Sequence, residues 1–187
     1  LLAVAALFDA VRRYTGQTLV AALGALLFAI HPTRAESVAW VLGSTDSMAA
    51  LFGFLAIGLL LRARPGLSAV GGDPIRWAEP AAAGLFALAL LSKETSLIFV
   101  CAPVGLALFG PTSAVPWTHR ARDAARLTAP WLGVLAVYLV ARSHVIGALS
   151  PSYQELSLTD QARTAVVLVG IYIEHLLLPG RLSLSTP

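Results

Sequence analysis

Charge is what this chain has least of: Asp, Glu, Lys and Arg make up 12% of its 187 residues, against about 25% in an ordinary soluble domain. Hydrophobic residues account for 57%, and the mean hydropathy is +0.77. A water-soluble fold of this size leaves much of its surface exposed and cannot hide that much apolar area. The composition argues against a soluble enzyme domain and for an integral membrane protein. Cysteine is nearly missing too. Cys101 stands alone in an apolar run, which excludes a disulfide framework and reads as a small buried hydrophobe. There is no HExxH, CxxC, P-loop or GxGxxG pattern, and no internal repeat or low-complexity tract. The net charge of +3 and the pI near 9.5 come from spread arginines outside any nucleic-acid-binding module, so no nucleic acid is expected as partner. The chain opens "LLAVAALF" without Met or a basic leader, as expected of a fragment cut inside an apolar helix and not of a signal peptide.

What is present is a series of apolar blocks, roughly 1–8, 17–30, 48–61, 80–92, 95–110, 127–141 and 164–178. Leu, Ala, Val and Phe dominate them without two-residue alternation, so they are helices and not barrel strands. Each is shorter than, or near, the roughly 20 residues that cross a 30 Å hydrocarbon core, and flanking Ser, Thr, Gly and Trp extend most of them. The expected fold is all-α, a single polytopic transmembrane helical bundle over 1–187 with about six or seven membrane helices. Gly24, Gly53, Gly58, Gly84, Gly105 and Gly133 lie inside the blocks, as close helix packing in lipid allows. The blocks 80–92 and 95–110 form either two crossings or a re-entrant hairpin. The block 164–178 contains Glu174 and His175, which are adjacent and cannot share one helix face. No metal site is assigned.

If the blocks cross alternately, the connections fall on two sides. Segments 9–16, 62–79, 111–126 and 179–187 carry nine of the thirteen basic residues: Arg12, Arg13, Arg62, Arg64, Arg76, Arg120, Arg122, Arg126 and Arg181. Segments 31–47, 93–94 and 142–163 carry Arg34, Lys93, Arg142 and Arg163. By the positive-inside rule the arginine-rich side is cytoplasmic and the other faces outward.

Three polar features share the outward side. In "HPTRAESVAW", Pro32 should end or kink the preceding helix, leaving His31 and Arg34 in the loop and Glu36 at the start of a short helix, where a carboxylate suits the dipole. "GSTDS" at 43–47 resembles a helix start, with Ser44, Thr45 or Asp46 as cap; Asp46 serves either as that cap or as a ligand group. In "LLSKETSLIF", Lys93 and Glu94 interrupt apolar sequence with no Gly or Pro. Charges at such depth are costly, roughly 2.5–3.5 kcal/mol at a helix centre. They form either a local pair snorkelling to the interface or a cation held for a phosphate. In the third connection, Arg142 and His144 end a helix and Tyr153, Glu155 and Asp160 follow, which reads as a solvated loop.

"LLFAIHPTRAESVAWVLGSTDSMAALFGFLA" resembles the signature region of a family of multi-pass membrane glycosyltransferases, the GT-C-fold proteins similar to the transmembrane and tetratricopeptide-repeat O-mannosyltransferases. Its matching positions are His31, Pro32, Glu36, Ser37, Val38 and Asp46. A Leu-Leu-x-Lys-Glu element matches Leu90, Leu91, Ser92, Lys93 and Glu94, and "YIEHLLLPGRLS" at 172–183 approximates a late element. The resemblance implies a partial GT-C-like module in an integral membrane protein of a bacterial inner membrane or its equivalent. It also implies transfer of a sugar, mannose-like, from a polyprenyl-phosphate donor to a protein or lipid acceptor on the non-cytoplasmic face. That donor would be the co-substrate, and in such enzymes a divalent metal sometimes assists. An acidic base activates the acceptor hydroxyl and cations stabilise the departing phosphate. On this reading His31, Glu36 and Asp46 are catalytic-site candidates, and Lys93, Arg34 and Glu94 hold the donor phosphate. The main base is expected in a loop upstream of residue 1 and the tetratricopeptide repeats downstream of 187, so the fragment alone is expected to be inactive. Two other classes fit the composition: a transporter or flippase half whose intramembrane charges line a path, and a scaffold without chemistry.

Overall fold

The structure, a computed structural model, describes residues 1–31, 43–110, 116–146 and 157–177. Arg34, Glu36, Tyr153, Glu155 and Arg181 lie outside them. Helix α1 (Leu2–Thr15) stops at Gly16, whose φ of 70° is the left-handed cap that glycine adopts freely, its N–H donating to the Arg12 carbonyl. α2 (Thr18–Ile30) returns alongside it. It ends because His31 precedes Pro32: the residue before proline is pushed out of the helical region, and His31 has ψ of 129°. α3 (Ser44–Ala63) and α4 (Ala78–Ser92) share the most extensive helix interface. A 3₁₀ segment (Glu94–Val100) then runs into α5 (Cys101–Phe109), with Pro103 in the first turn, where its missing N–H has no helical partner to lose. α6 (Trp117–Ile146) packs on α4 and α5. α7 (Leu158–Leu177) begins at a reciprocal Ser157–Asp160 cap and shares no extensive contact with the other described helices.

No strand occurs among the described residues, and the chain is all-α there. Two helices, Ser44–Ala63 and Trp117–Val145, are long and apolar enough to cross a membrane, with mean hydropathy of 1.7 and 1.5 over their most apolar windows. Only 39% and 22% of those windows are buried. A core helix of a soluble protein would be mostly covered, so the apolar surface of these two faces outward.

The interior is made largely of small residues. Of the twenty buried apolar side chains among the described residues, fourteen are alanine, whereas Leu19, Leu26, Leu27, Ile30, Leu91 and Val137 are all more than half exposed. Soluble cores bury the large aliphatics; helices that associate in lipid approach through small residues and turn the large ones out. Ala6 and Ala10 in α1 and Ala21 and Ala25 in α2 are buried at four-residue spacing. The larger core lies between α3, α4, α5 and α6, where Leu60, Phe86, Leu90, Leu127 and Trp131 are buried. Phe86 stacks on Trp131 at 4.8 Å. Of the six glycines, only Gly53 and Gly58 lie against a neighbour; at Gly24, Gly84, Gly105 and Gly133 an added methyl would meet open space. Alanine supplies most of the buried small residues, with Gly53 and Gly58 the two of these glycines set against a neighbour. Cys101 is exposed, not buried as its apolar context suggests, because it sits at the start of α5.

Ion pairs divide the helix ends into two groups. At one end Asp9 accepts from Arg13 and Arg62, at 2.9 and 3.0 Å, and Glu79 pairs with Arg64 at 2.9 Å. Loop hydrogen bonds from Ala69 to the Arg13 carbonyl and from Ile75 to the Arg62 carbonyl tie the 64–77 connection to the same end. Tyr14 donates to the Phe109 carbonyl and Arg120 to that of Leu108, which adds the ends of α5 and α6. The opposite end holds the start of α3, the turn at Lys93 and the last turns of α6. Segments 80–92 and 94–109 therefore run the length of the bundle out and back.

Candidate functional site

Lys93 is the single extended residue joining α4 to the 3₁₀ segment, with φ −159° and ψ 135°. Its N–H donates to the Ala89 carbonyl and its own carbonyl accepts from Ser96, both within 3.1 Å. The backbone is thus fixed on both sides without glycine or proline, and the side chain projects from a tight corner. Its Nζ lies 2.6 Å from both carboxylate oxygens of Asp46. Asp46 is in the first turn of α3, where a negative charge complements the helix dipole. The N-cap position of α3 is Gly43, so the cap expected from Ser44, Thr45 or Asp46 falls one residue earlier, and the Asp46 carboxylate goes to Lys93 instead.

Beside this pair, Glu94 lies 3.7 Å from Arg142 near the end of α6, and Arg142 donates to the Tyr138 hydroxyl at 3.1 Å. Asp46, Lys93, Glu94 and Arg142 make two neighbouring ion pairs on three chain segments, with zero net charge. The Lys93 and Asp46 side chains are about one-third exposed, and Glu94 more than half, so the pairs open outward. An ammonium carries three donors. Two meet the Asp46 oxygens, and the third can serve an incoming anion. Arg142 holds further N–H donors in a planar fork suited to a phosphate.

The remaining candidates divide simply. His31 closes α2, whose last turn, with Phe28 and Ala29, lines a cavity of about 570 Å3 with Ser47 and Met48 of α3. That cavity places His31 at the same end as Asp46. Arg34 and Glu36 fall outside the described residues. Glu94, expected at the donor phosphate, lies 3.7 Å from Arg142 in a weak, exposed ion pair. Arg142 and Tyr138 are the site residues that sequence reasoning missed. Their four-residue spacing on one helix face was the available signal. Among the described residues no three His, Cys, Asp or Glu side chains converge as a metal-ligand set. Compared with known proteins, the chain matches no family model, no curated protein and no solved structure.

Proposed function

We propose that this chain belongs to an integral-membrane glycosyltransferase of the GT-C type, with a bundle of six or seven spans, that uses a polyprenyl-phosphate sugar as donor. The observation that carries the reading is the Lys93–Asp46 pair. It joins two elements of the motif resemblance, 47 residues apart, at the end opposite the arginine-rich one. The alanine-lined, leucine-coated helices support a lipid setting, and the shorter helices cross against the two long ones. In the reaction the acceptor hydroxyl oxygen bonds to the sugar's anomeric carbon, and the bond from that carbon to the phosphate oxygen breaks. Negative charge grows on the departing phosphate, where Lys93 and Arg142 stabilise it. Asp46 and Glu94 position the two cations. His31 and Glu36 shape the donor or acceptor pocket, Arg34 assists Lys93 at the phosphate, and an acidic base takes the hydroxyl proton.

Membranes containing the full-length protein and labelled polyprenyl-phosphate mannose test this. Lys93→Ala should lower sugar turnover by about a hundredfold or more, the size of effect expected when one preorganised donor is lost at a developing charge. Asp46→Asn and Glu36→Ala should also impair turnover while expression stays normal. Full turnover in the Lys93→Ala protein would refute the assignment.

A further inference from the structure

At the arginine end a second cavity, of about 440 Å3, opens between the turn after α3 and the first turns of α6. Arg64, Arg120 and Arg126 rim it, and Leu67, Ala107 and Leu127 form an apolar floor. Arg64 is paired with Glu79, and Arg120 is anchored at the rim by a bond to the Leu108 carbonyl. Arg126 is exposed and makes no ion pair among the described residues, and neither does Asp123 on the lip. Three cations thus face two carboxylates. The imbalance extends across this end, where Arg12, Arg13, Arg62, Arg64, Arg76, Arg120, Arg122 and Arg126 stand against Asp9, Asp73, Glu79 and Asp123, a net charge of +4.

The level of the cavity is marked independently. Trp77 and Trp117, at the starts of α4 and α6, are 64% and 62% exposed at this same end. Exposed tryptophans gather where hydrocarbon meets headgroups. A guanidinium rim suits the two oxygens of a phosphate, whereas the floor beneath it calls for carbon. A free phosphate would leave that floor wet. A lipid brings both parts, and basic pockets between helices on the cytoplasmic side suit anionic headgroups.

We propose that this cavity binds the phosphate headgroup of an anionic membrane lipid, with Arg120 and Arg126 on the phosphate and the first acyl carbons over Leu67 and Leu127. The proposal rests on the membrane setting of the reading above and is independent of sugar transfer. The test is native mass spectrometry of the full chain in neutral detergent, titrated with phosphatidylglycerol, phosphatidylcholine or inorganic phosphate. Saturable binding of phosphatidylglycerol is expected. It should weaken roughly thirtyfold in Arg120→Gln/Arg126→Gln, at the energy typical of two arginines facing an anionic headgroup, and stay unchanged in Arg122→Gln, whose side chain does not line the cavity. If the double variant does not fold, Arg126→Gln alone carries the test, since that side chain is exposed. An equal loss in Arg122→Gln, equal binding of phosphatidylcholine, or full competition by inorganic phosphate overturns the assignment. A protein that binds phosphatidylglycerol but turns over no sugar fails the transferase reading and leaves this site standing.

Discussion

The ring of Phe99 occupies the space that a side chain at position 53 would fill. That ring is held edge-on against Phe54 at 5.7 Å, and Phe54 against Phe28 at 5.4 Å, so three aromatic side chains link the 3₁₀ segment, α3 and α2. Gly53→Ala must displace the first ring and disturb the other two. Overpacking of this kind costs about 1–3 kcal/mol. Chemical denaturation in detergent should show that loss, and Phe99→Leu in the same background should recover most of it; no recovery would mean that the clash is elsewhere. From sequence, Gly53 was one glycine among six in apolar blocks. Nothing local distinguishes it, because the ring that needs the space lies 46 positions along the chain.

At the level of elements, each apolar block falls on a helical segment, but blocks 1–8, 127–141 and 164–178 are shorter than their helices, which continue through charged residues. The discrepancies have local causes. Block 95–110 is a 3₁₀ segment followed by a helix, divided shortly before Pro103, and 127–141 extends through charged Arg120–Arg126 to a helix of 30 residues. Hydropathy alone could not see that extension, because arginine is a good helix former that an apolar scan discards. The site was legible as two clusters, 31–46 and 93–94, but not as a pairing: which carboxylate meets Lys93 depends on the packing of α3 against α4. The packing also produces the Asp9 junction, where one carboxylate serves α1 through Arg13 and α3 through Arg62 and lies 3.6 Å from the position of a Gly58 methyl. Both pairs are partly exposed, so Asp9→Asn should destabilise by only about 1 kcal/mol. The loss should shrink in high salt; an effect insensitive to salt would point to shape and not charge.

For the molecule as a whole, the charges sort by end. α6 carries Arg120 and Arg142 at opposite ends, separated by 22 residues and therefore by about 33 Å, close to a hydrocarbon thickness. Single cysteines placed in a Cys101→Ser background test the sidedness. In right-side-out vesicles an impermeant maleimide should label Thr95→Cys directly and Arg122→Cys only after permeabilisation. Labelling of both from one side would overturn the two-ended arrangement. α3 is anchored at either extremity, by Asp46 to Lys93 and by Arg62 and Arg64 to α1 and α4. Rotation of a rod held in this way about its long axis would break an electrostatic fastening at either end. A twist applied at one tip would therefore be shared with its neighbours or carried, across the thickness of the bundle, to the guanidinium cluster at the other.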